Sequence, residues 1–587
     1  MYVKVEHVKI LRSIREGADT LKLERLGIGH GVVSRRVTEL QIMGLVKVYK
    51  DSLRLTRAGE LLASAADLVG DISALPDPWL NSPVIEALRL AAETNYVPKE
   101  WADLLAPRKL YDCEAGVTEA GRRVLQAYRV ARPSIFITPE TAEFLVGLPP
   151  GPSLVDELIS YRDAGGFGSN VVNALEAMRL LKISPPTKAG SSYILTEAGR
   201  LVRKALFRIP LYDSVISINE RIMEILKKDA SSLTAGEQRE LELMHLTNGE
   251  GKKEFMAGYE RQSEAREAIP PFTVTMYELS IISTTQEILK KGLLPTYDEI
   301  GKRAGRDKRL SLGEALHMLE AKDLMRRVER EGHDTYEPTQ YGEEVARRFS
   351  GIKEDVTSDA VKPATYALAG TPPKPEWVIK GRALGIVFND VTSRGEFLIE
   401  LSKKVSRKPF LTRYDAMVIH LTPRKGIPLH ELVSAVGKRI EGFSEEIFNL
   451  SLSEAEAKGY VDVLPNDYVK LTSLGEGVKE VITYASTEEI LKSSISITPT
   501  NYNVLRTIAD YEGEFRKLQY KKDIKIVLRE EVALVYNNIK KYTSITLDEI
   551  RKSIQQLRAY GLLGKTGLTA AGKKLLELYA TRPSWSA

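Results

Sequence analysis

A short phrase, Thr-x-x-Gly followed by a stretch of amphipathic sequence, is read at six places along this chain: Thr56 with Gly59, Thr118 with Gly121, Thr196 with Gly199, Thr339 with Gly342, Thr472 with Gly475, and Thr569 with Gly572. A fixed phrase repeated at intervals of one small module marks an array of units rather than one large core. The setting recurs as well. In the first copy Val37, Leu40 and Met43 share one helical stripe, Gly44 ends that helix, and residues 45–55 alternate as a hairpin does. The sixth copy repeats this order with Ile554, Leu557, Gly561, Leu562 and Leu563. The third runs through Leu175, Met178, Leu180, Leu181 and Ile183, and the fourth through Leu316, Leu319, Leu324, Met325 and Val328. In each, the threonine is placed to cap the next helix, and the glycine falls in its first turn, where a neighbouring backbone can come close.

Helix, tight stop, two-stranded wing and helix again resembles the winged variant of the helix-turn-helix, whose second helix is the usual recognition element. The expected fold is mainly α with small β-hairpin wings (α+β), a tandem array of about six winged helix-turn-helix modules with helical spacers. The boundaries read as winged helices over residues 1–68, 69–130, 131–206, 271–349, 410–484 and 485–587. The second is degenerate, because residues 111–117 offer little alternation. A helical spacer is expected over 207–270, and a linker or helical spacer over 350–409. A second repeat supports duplication: Ser134-Ile-Phe-Ile-Thr-Pro139 and Ser494-Ile-Ser-Ile-Thr-Pro499 each open the first helix of a module.

With 587 residues the chain exceeds the roughly 250–300 at which single cores stop growing. No stretch of about 18 apolar residues is present to span a bilayer. The opening Met1-Tyr2-Val3-Lys4-Val5-Glu6-His7 lacks the apolar core of a secretory signal, so a cytoplasmic location is expected. The single cysteine, Cys113, excludes an internal disulfide and a cysteine-cluster zinc site, and fits a reducing compartment. A net charge of +5 from 84 basic and 79 acidic residues means that any nucleic-acid surface must be local.

Chemistry-bearing constellations are sparse. The histidines His7, His30, His245, His317, His333, His420 and His430 form no His-Glu-x-x-His and no facing pair at helical spacing, so neither metal nor cofactor is expected. His420 and His430, either side of Thr422-Pro-Arg-Lys-Gly426, read as packing or surface residues. The glycine-rich Ala164-Gly-Gly-Phe-Gly-Ser-Asn170 could let a backbone approach phosphate, yet it aligns with Gly27-Ile-Gly-His-Gly31 and reads better as the turn of a helix-turn-helix. Asp112 and Glu114 beside Cys113 oppose thiolate formation. Paired carboxylates such as Glu445 and Glu446 read as a solvated helix face. No catalytic residue is expected, and the chain reads as a non-enzyme.

Basic residues on a recognition helix or wing carry more weight than elsewhere, because those elements meet phosphate and base. The first module places Ser34, Arg35 and Arg36 on its recognition helix and Lys47, Lys50 and Arg54 on its wing. The fourth places Lys302, Arg303, Arg306, Lys308 and Arg309 at its recognition helix, followed by Arg326, Arg327 and Arg330. The richest stretch is 515–542, where Arg516, Lys517, Lys521, Lys522, Lys525, Arg529, Lys540 and Lys541 outnumber Asp523, Glu530 and Glu531, with Phe515, Tyr520, Tyr536 and Tyr542 interleaved. That mixture suits RNA, whose phosphates take cations and whose unpaired bases stack on tyrosine. The competing reading is a solvated, lysine-rich surface. The third and fifth modules have weakly basic or acidic recognition helices and read as protein contacts or spacers.

A sequence-specific DNA regulator is usually a symmetric dimer on two half-sites. Six unequal modules in one chain instead suit a monomer laid on a large irregular partner. By length, repeated Thr-x-x-Gly modules and two internal spacers, the chain resembles an uncharacterised archaeal family of long tandem winged-helix proteins that is associated with ribosome dormancy. The resemblance implies a non-enzymatic protein that contacts ribosomal RNA and ribosomal subunits and inhibits translation. A DNA-binding winged-helix transcription regulator or chromatin-associated protein is the alternative, and a protein-only scaffold a third reading.

Overall fold

The computed structural model describes the chain apart from residues 18–22, 24–29, 50–51, 209–217, 219, 244–248, 262–268, 406, 493–494, 519–523, 540–543 and 581–587. In all six copies the threonine of the repeated phrase closes the same turn, using its hydroxyl twice. Thr56 Oγ1 accepts the Gly59 N–H at 3.2 Å and donates to the Gly44 carbonyl at 2.7 Å. Its counterparts accept from Gly121, Gly199, Gly342, Gly475 and Gly572. They donate to the carbonyls of Lys109, Arg179, Asp323, Gly459 and Gly561. Each of these carbonyls belongs to a residue of positive φ, from 55° at Asp323 to 76° at Gly459. The left-handed residue ends the preceding helix and presents its carbonyl to the threonine.

The glycine is demanded by the same turn. A β-carbon on it would lie 1.8 to 2.4 Å from the carbonyl oxygen of Leu45, Leu110, Leu180, Leu324, Tyr460 or Leu562, in the six copies respectively. The phrase therefore clamps together a helix end, the base of a hairpin and the start of the next helix.

A seventh turn of this kind lies in the segment expected to be a linker. Thr392 Oγ1 donates to the carbonyl of Gly385, at φ 65°, with a distance of 2.6 Å, and the Thr392 N–H donates to Ile386 at 3.0 Å. Thr392-Ser-Arg-Gly395 is the phrase itself. Its hairpin is reduced to the single bridge Val387 to Val391, too short to show alternation in sequence. Residues 350–409, expected as a linker or helical spacer, thus hold helices and a further copy of the turn.

The chain is mainly helical with small antiparallel sheets of two or three strands. It divides into two compact units, residues 1–268 with 362–393 and residues 269–361 with 394–587. The same internal ties recur in both. Val3 bridges Leu80 in the first unit, as Val274 bridges Val356 in the second. The Ser134 N–H donates to Ile42, as that of Lys408 does to Ala321. Three-stranded sheets form where Ser153–Leu154 joins Leu181–Ile183 and Ser192–Leu195, and where Ile427–Pro428 joins Val461–Val463 and Tyr468–Leu471. Ile137 bridges Ile218, and Leu411 pairs with Ile497. The structural counterpart of residues 136–142 is therefore 410–416, although 134–139 and 494–499 look more alike in sequence. Both hexapeptides do open helices, Pro139–Gly147 and Pro499–Asp510, with Thr138 and Thr498 as caps.

The segment 207–270, expected as a spacer, contributes to a core. Ile222, Met223, Ile225, Leu226, Leu241 and Phe255 pack with Phe144, Leu175, Tyr193 and Val202 in one buried cluster. Helix Glu250–Glu260 lies so close to helix Glu197–Leu206 that a β-carbon at Gly258 would meet the Ala198 carbonyl oxygen at 3.1 Å. In the second unit one cluster joins the fifth and sixth copies through Phe448, Val469, Val478, Val504, Phe515, Leu557 and Leu575.

Candidate nucleic-acid interface

The expected contact residues sort by what surrounds them, and the first hairpin holds the exposed set. Strand register places Lys47 opposite Arg54 and Tyr49 opposite Ser52. Because side chains alternate along a strand, these four share one face. Lys47 and Arg54 are exposed, and no carboxylate among the described residues forms an ion pair with either. Tyr49 is 52% exposed, with the Arg54 guanidinium 4.8 Å over its ring. The face joins two cations to an accessible aromatic plane, the pairing that phosphate and an unstacked base require. Tyr49 was not among the expected residues, although its spacing of two from Lys47 in an alternating run places both on one face. On helix His30–Ile42, Arg35 is exposed, and its nearest carboxylate, Glu39, is 3.9 Å away.

Arg36, the neighbouring residue, is not available for a partner. It is buried, donating to Glu6 at 2.6 Å and to Glu39 at 2.9 and 2.7 Å. His7 Nε2 lies 2.7 Å from Glu39, while its Nδ1 accepts the Lys4 N–H at 3.0 Å. That arrangement requires the neutral Nε2–H tautomer, and burial lowers the His7 pKa accordingly. Burial alone would raise the Glu39 carboxyl, but the hydrogen bonds from His7 and Arg36 outweigh it and hold the pKa at about 2. The network ties helix Val5–Arg15 to helix His30–Ile42. Of its two acidic partners, Glu39 lies three residues on along the same helix and Glu6 lies 30 residues away, where sequence spacing gives no sign of it.

The fourth copy divides similarly. Arg306 and Lys308 are exposed in the loop between helices Tyr297–Arg303 and Leu312–Ala321. Arg309 turns inward to Asp307 at 2.9 Å and Asp355 at 2.6 Å. Arg327, 8% exposed, joins Asp334 at 2.9 Å and Glu549 at 2.8 Å, tying the fourth hairpin to the sixth copy. Arg309 and Arg327 are thus structural residues in place of the contact residues expected. Arg326 stays outside but lies 3.1 Å from Glu337, directly opposite in register and shared with Arg330.

In the stretch 515–542, Arg516 is exposed and pairs with Glu512 at 2.8 Å, and Lys517 is exposed. Phe515 is fully buried, so it packs instead of stacking on a base. Tyr520, Lys521, Lys522, Lys540 and Lys541 lie outside the described residues, as does the side chain of Lys525. The glycine loop at 164–170 joins helices Val155–Ala164 and Asn170–Ala177, and Phe167 pins it by edge contact with Phe144, ring centres 5.2 Å apart. Among the described residues no group of three or more His, Cys, Asp or Glu side chains is placed to hold a metal ion. No described helix is long and apolar enough to cross a membrane.

Comparison with known proteins identifies relatives without an assigned activity. The profile of a family described as a protein of unknown function (DUF505) matches residues 1–308 and 305–579. An uncharacterised protein of Methanocaldococcus jannaschii is 36% identical over 591 aligned residues, which cover 99% of each chain. No solved structure matches the chain.

Proposed function

We propose that this chain, which belongs to the DUF505 family, is an RNA-binding protein that sits on ribosomal subunits and inhibits translation by occupancy, as a dormancy factor does. The observation that carries the reading is the hairpin face on which Lys47 opposes Arg54 beside the exposed Tyr49. Like charges directly opposite weaken a hairpin, and an anionic partner reverses that penalty. Tyrosine among the cations favours RNA with unstacked bases over the outside of a DNA duplex.

The recurring helix, left-handed stop, hairpin and threonine-capped helix are read as winged helix-turn-helix modules. Exposed cations that pair with no carboxylate among the described residues occur in several copies, among them Lys47 and Arg54 in the first, Arg306 and Lys308 in the fourth and Lys517 in the sixth. That spread suits one large, irregular partner, engaged at several points by a single linked chain.

The test is sedimentation of cell extract through sucrose gradients at graded salt. Co-migration with ribosomal subunits at low salt, lost as salt rises and weakened by Lys47→Glu, is the expected result. A protein that stays at the top of the gradient at every salt concentration refutes the ribosomal reading. Equal affinity for duplex DNA and for rRNA fragments would turn it toward transcription.

A further inference from the structure

The duplication exposes an exchange of chemistry at one place in the second unit. Four anchors set the residue correspondence: the bridges of Val3 and Val274, the paired bonds of Ser134 and Lys408, and the closing turns at Leu45 and Leu324 and at Leu180 and Tyr460. Counting from them, Met43 and Met178 of the first unit stand where the second has Lys322 and Lys458, and Pro133 and Ser134 stand where it has Arg407 and Lys408. Met43 and Met178 are fully buried, packing residues. Their counterparts surround a cavity of about 20 Å³, lined by Thr273, Lys322, Arg407, Lys408 and Lys458 among apolar neighbours such as Phe272. No carboxylate lines it.

The carboxylates lie behind the lysines. Lys322 Nζ is 3.0 Å from both oxygens of Glu278 and 2.9 Å from Glu454, which also accepts from Thr273 at 2.9 Å. Three contacts use all three protons of that ammonium. Lys458 donates to Asp415 at 2.8 Å and lies 4.8 Å over the Phe410 ring, leaving donor capacity. Arg407 Nη2 is buried without a hydrogen-bond partner, as are Glu454 Oε2 and Asp415 Oδ1. Burial pushes the Arg407 pKa down to about 10, as expected of a guanidinium short of a counter-charge. Glu278 and Glu454 hold Lys322, Asp415 holds Lys458 and Asp323 faces Lys408, which leaves Arg407 as the cation with a buried donor lacking a partner, where the other unit has Pro133. A buried cation without full compensation is costly, and Pro133 occupies the Arg407 position of the first unit without that cost.

We propose that this cavity is a binding site for a small monovalent anion of halide size, held by Arg407, Lys408 and Lys458. Its volume admits a particle about the size of a water molecule and excludes a nucleotide. The bound anion supplies the partner that Arg407 Nη2 lacks and locks the segment around Phe410 against the fourth copy, an effect separate from RNA contact.

The test compares melting of the full chain in potassium chloride and potassium gluconate at equal ionic strength. A midpoint higher by a few degrees in chloride is expected for the wild type, with that difference lost in Arg407→Met and reduced in Lys408→Ser, the residue of the first unit. An equal chloride-minus-gluconate difference in wild type and variants overturns the proposal. Should Arg407→Met fail to fold, bromide-soaked crystals of the wild type decide: an anomalous peak beside Arg407 supports the site, and bromide confined to the outer surface refutes it.

Discussion

Lys47 and Arg54 stand directly opposite each other across the antiparallel hairpin Val46–Tyr49 and Ser52–Leu55. A pair of opposite sign at such a position stabilises a sheet by about 0.2–1 kcal/mol, and like charges do the reverse. Lys47→Glu is therefore expected to separate stability from binding. Urea unfolding should show equal or slightly higher stability. Fluorescence anisotropy with rRNA fragments should show weaker binding and a salt dependence shallower by about one counter-ion. Parallel loss of stability and binding would assign Lys47 to the fold.

Tyr49→Ala tests the aromatic half of the same face. Stacking of a base on an aromatic side chain contributes about 1–3 kcal/mol, so affinity for single-stranded RNA should fall by roughly fivefold to a hundredfold while the salt dependence stays unchanged. Titration at several salt concentrations distinguishes this from loss of a phosphate contact.

The closing turns predict a sharp contrast between glycines. In Gly342→Ala the new β-carbon would lie 2.0 Å from the Leu324 carbonyl oxygen, and relief requires helix Gln340–Arg348 to move off its hairpin. A loss above about 2 kcal/mol is expected, together with about 1–2 kcal/mol for Thr339→Ala, which removes the cap. Gly236 lies in helix Ala235–Leu243, and a β-carbon there would meet no atom within 4 Å, so its change to alanine should add about 0.5–1 kcal/mol of stability. Chemical denaturation of the three variants checks this ordering.

Glu39 gives the first unit an acid-sensitive joint. Its folded pKa of about 2 lies below the ordinary value of 4.5, so the proton is bound more tightly in the unfolded chain. The stabilisation is fully present above about pH 4.5 and is lost as pH falls toward 2. Glu39→Gln should remove about 1–2 kcal/mol near neutrality, discounted for partial exposure, and flatten the dependence across that window. Melting midpoints measured across the acid range, from roughly pH 2.5 to 6, provide the check.

Lys322→Met carries the first unit's residue into the second, yet should destabilise by about 3–5 kcal/mol, because Glu278 and Glu454 lose the ammonium between them. Burial already raises the Glu278 carboxyl, and without Lys322 it would bind its proton more tightly still. The triple exchange Lys322→Met, Glu278→His and Glu454→Ala, the residues at Met43, His7 and Ala174, should recover much of the loss. Thermal unfolding of the single and triple variants decides.

The repeated phrase was legible because its causes are local. Threonine is needed for its hydroxyl, glycine for its missing β-carbon, and only two residues separate them within one helical turn. Helix ends at Gly44 and Gly561 could be read for the same reason, whereas Arg179 and Asp323 adopt positive φ without announcing it. The hairpin face was half legible: alternation puts Lys47 and Tyr49 together, while the opposition of Lys47 and Arg54 depends on strand register.

Charge alone does not reveal which cations are free. Arg35 and Arg36 are adjacent and chemically identical, yet one is exposed and the other is buried between Glu6 and Glu39. Arg327 is likewise claimed by Glu549, 222 residues away, and Lys322 by Glu454. Local sequence determined the closing turn, because every atom it requires lies on the phrase or at the base of its own hairpin. Tertiary structure decided the surface and the cationic cavity, because an ion pair depends on distance through space, and the chain brings those partners together only when it folds.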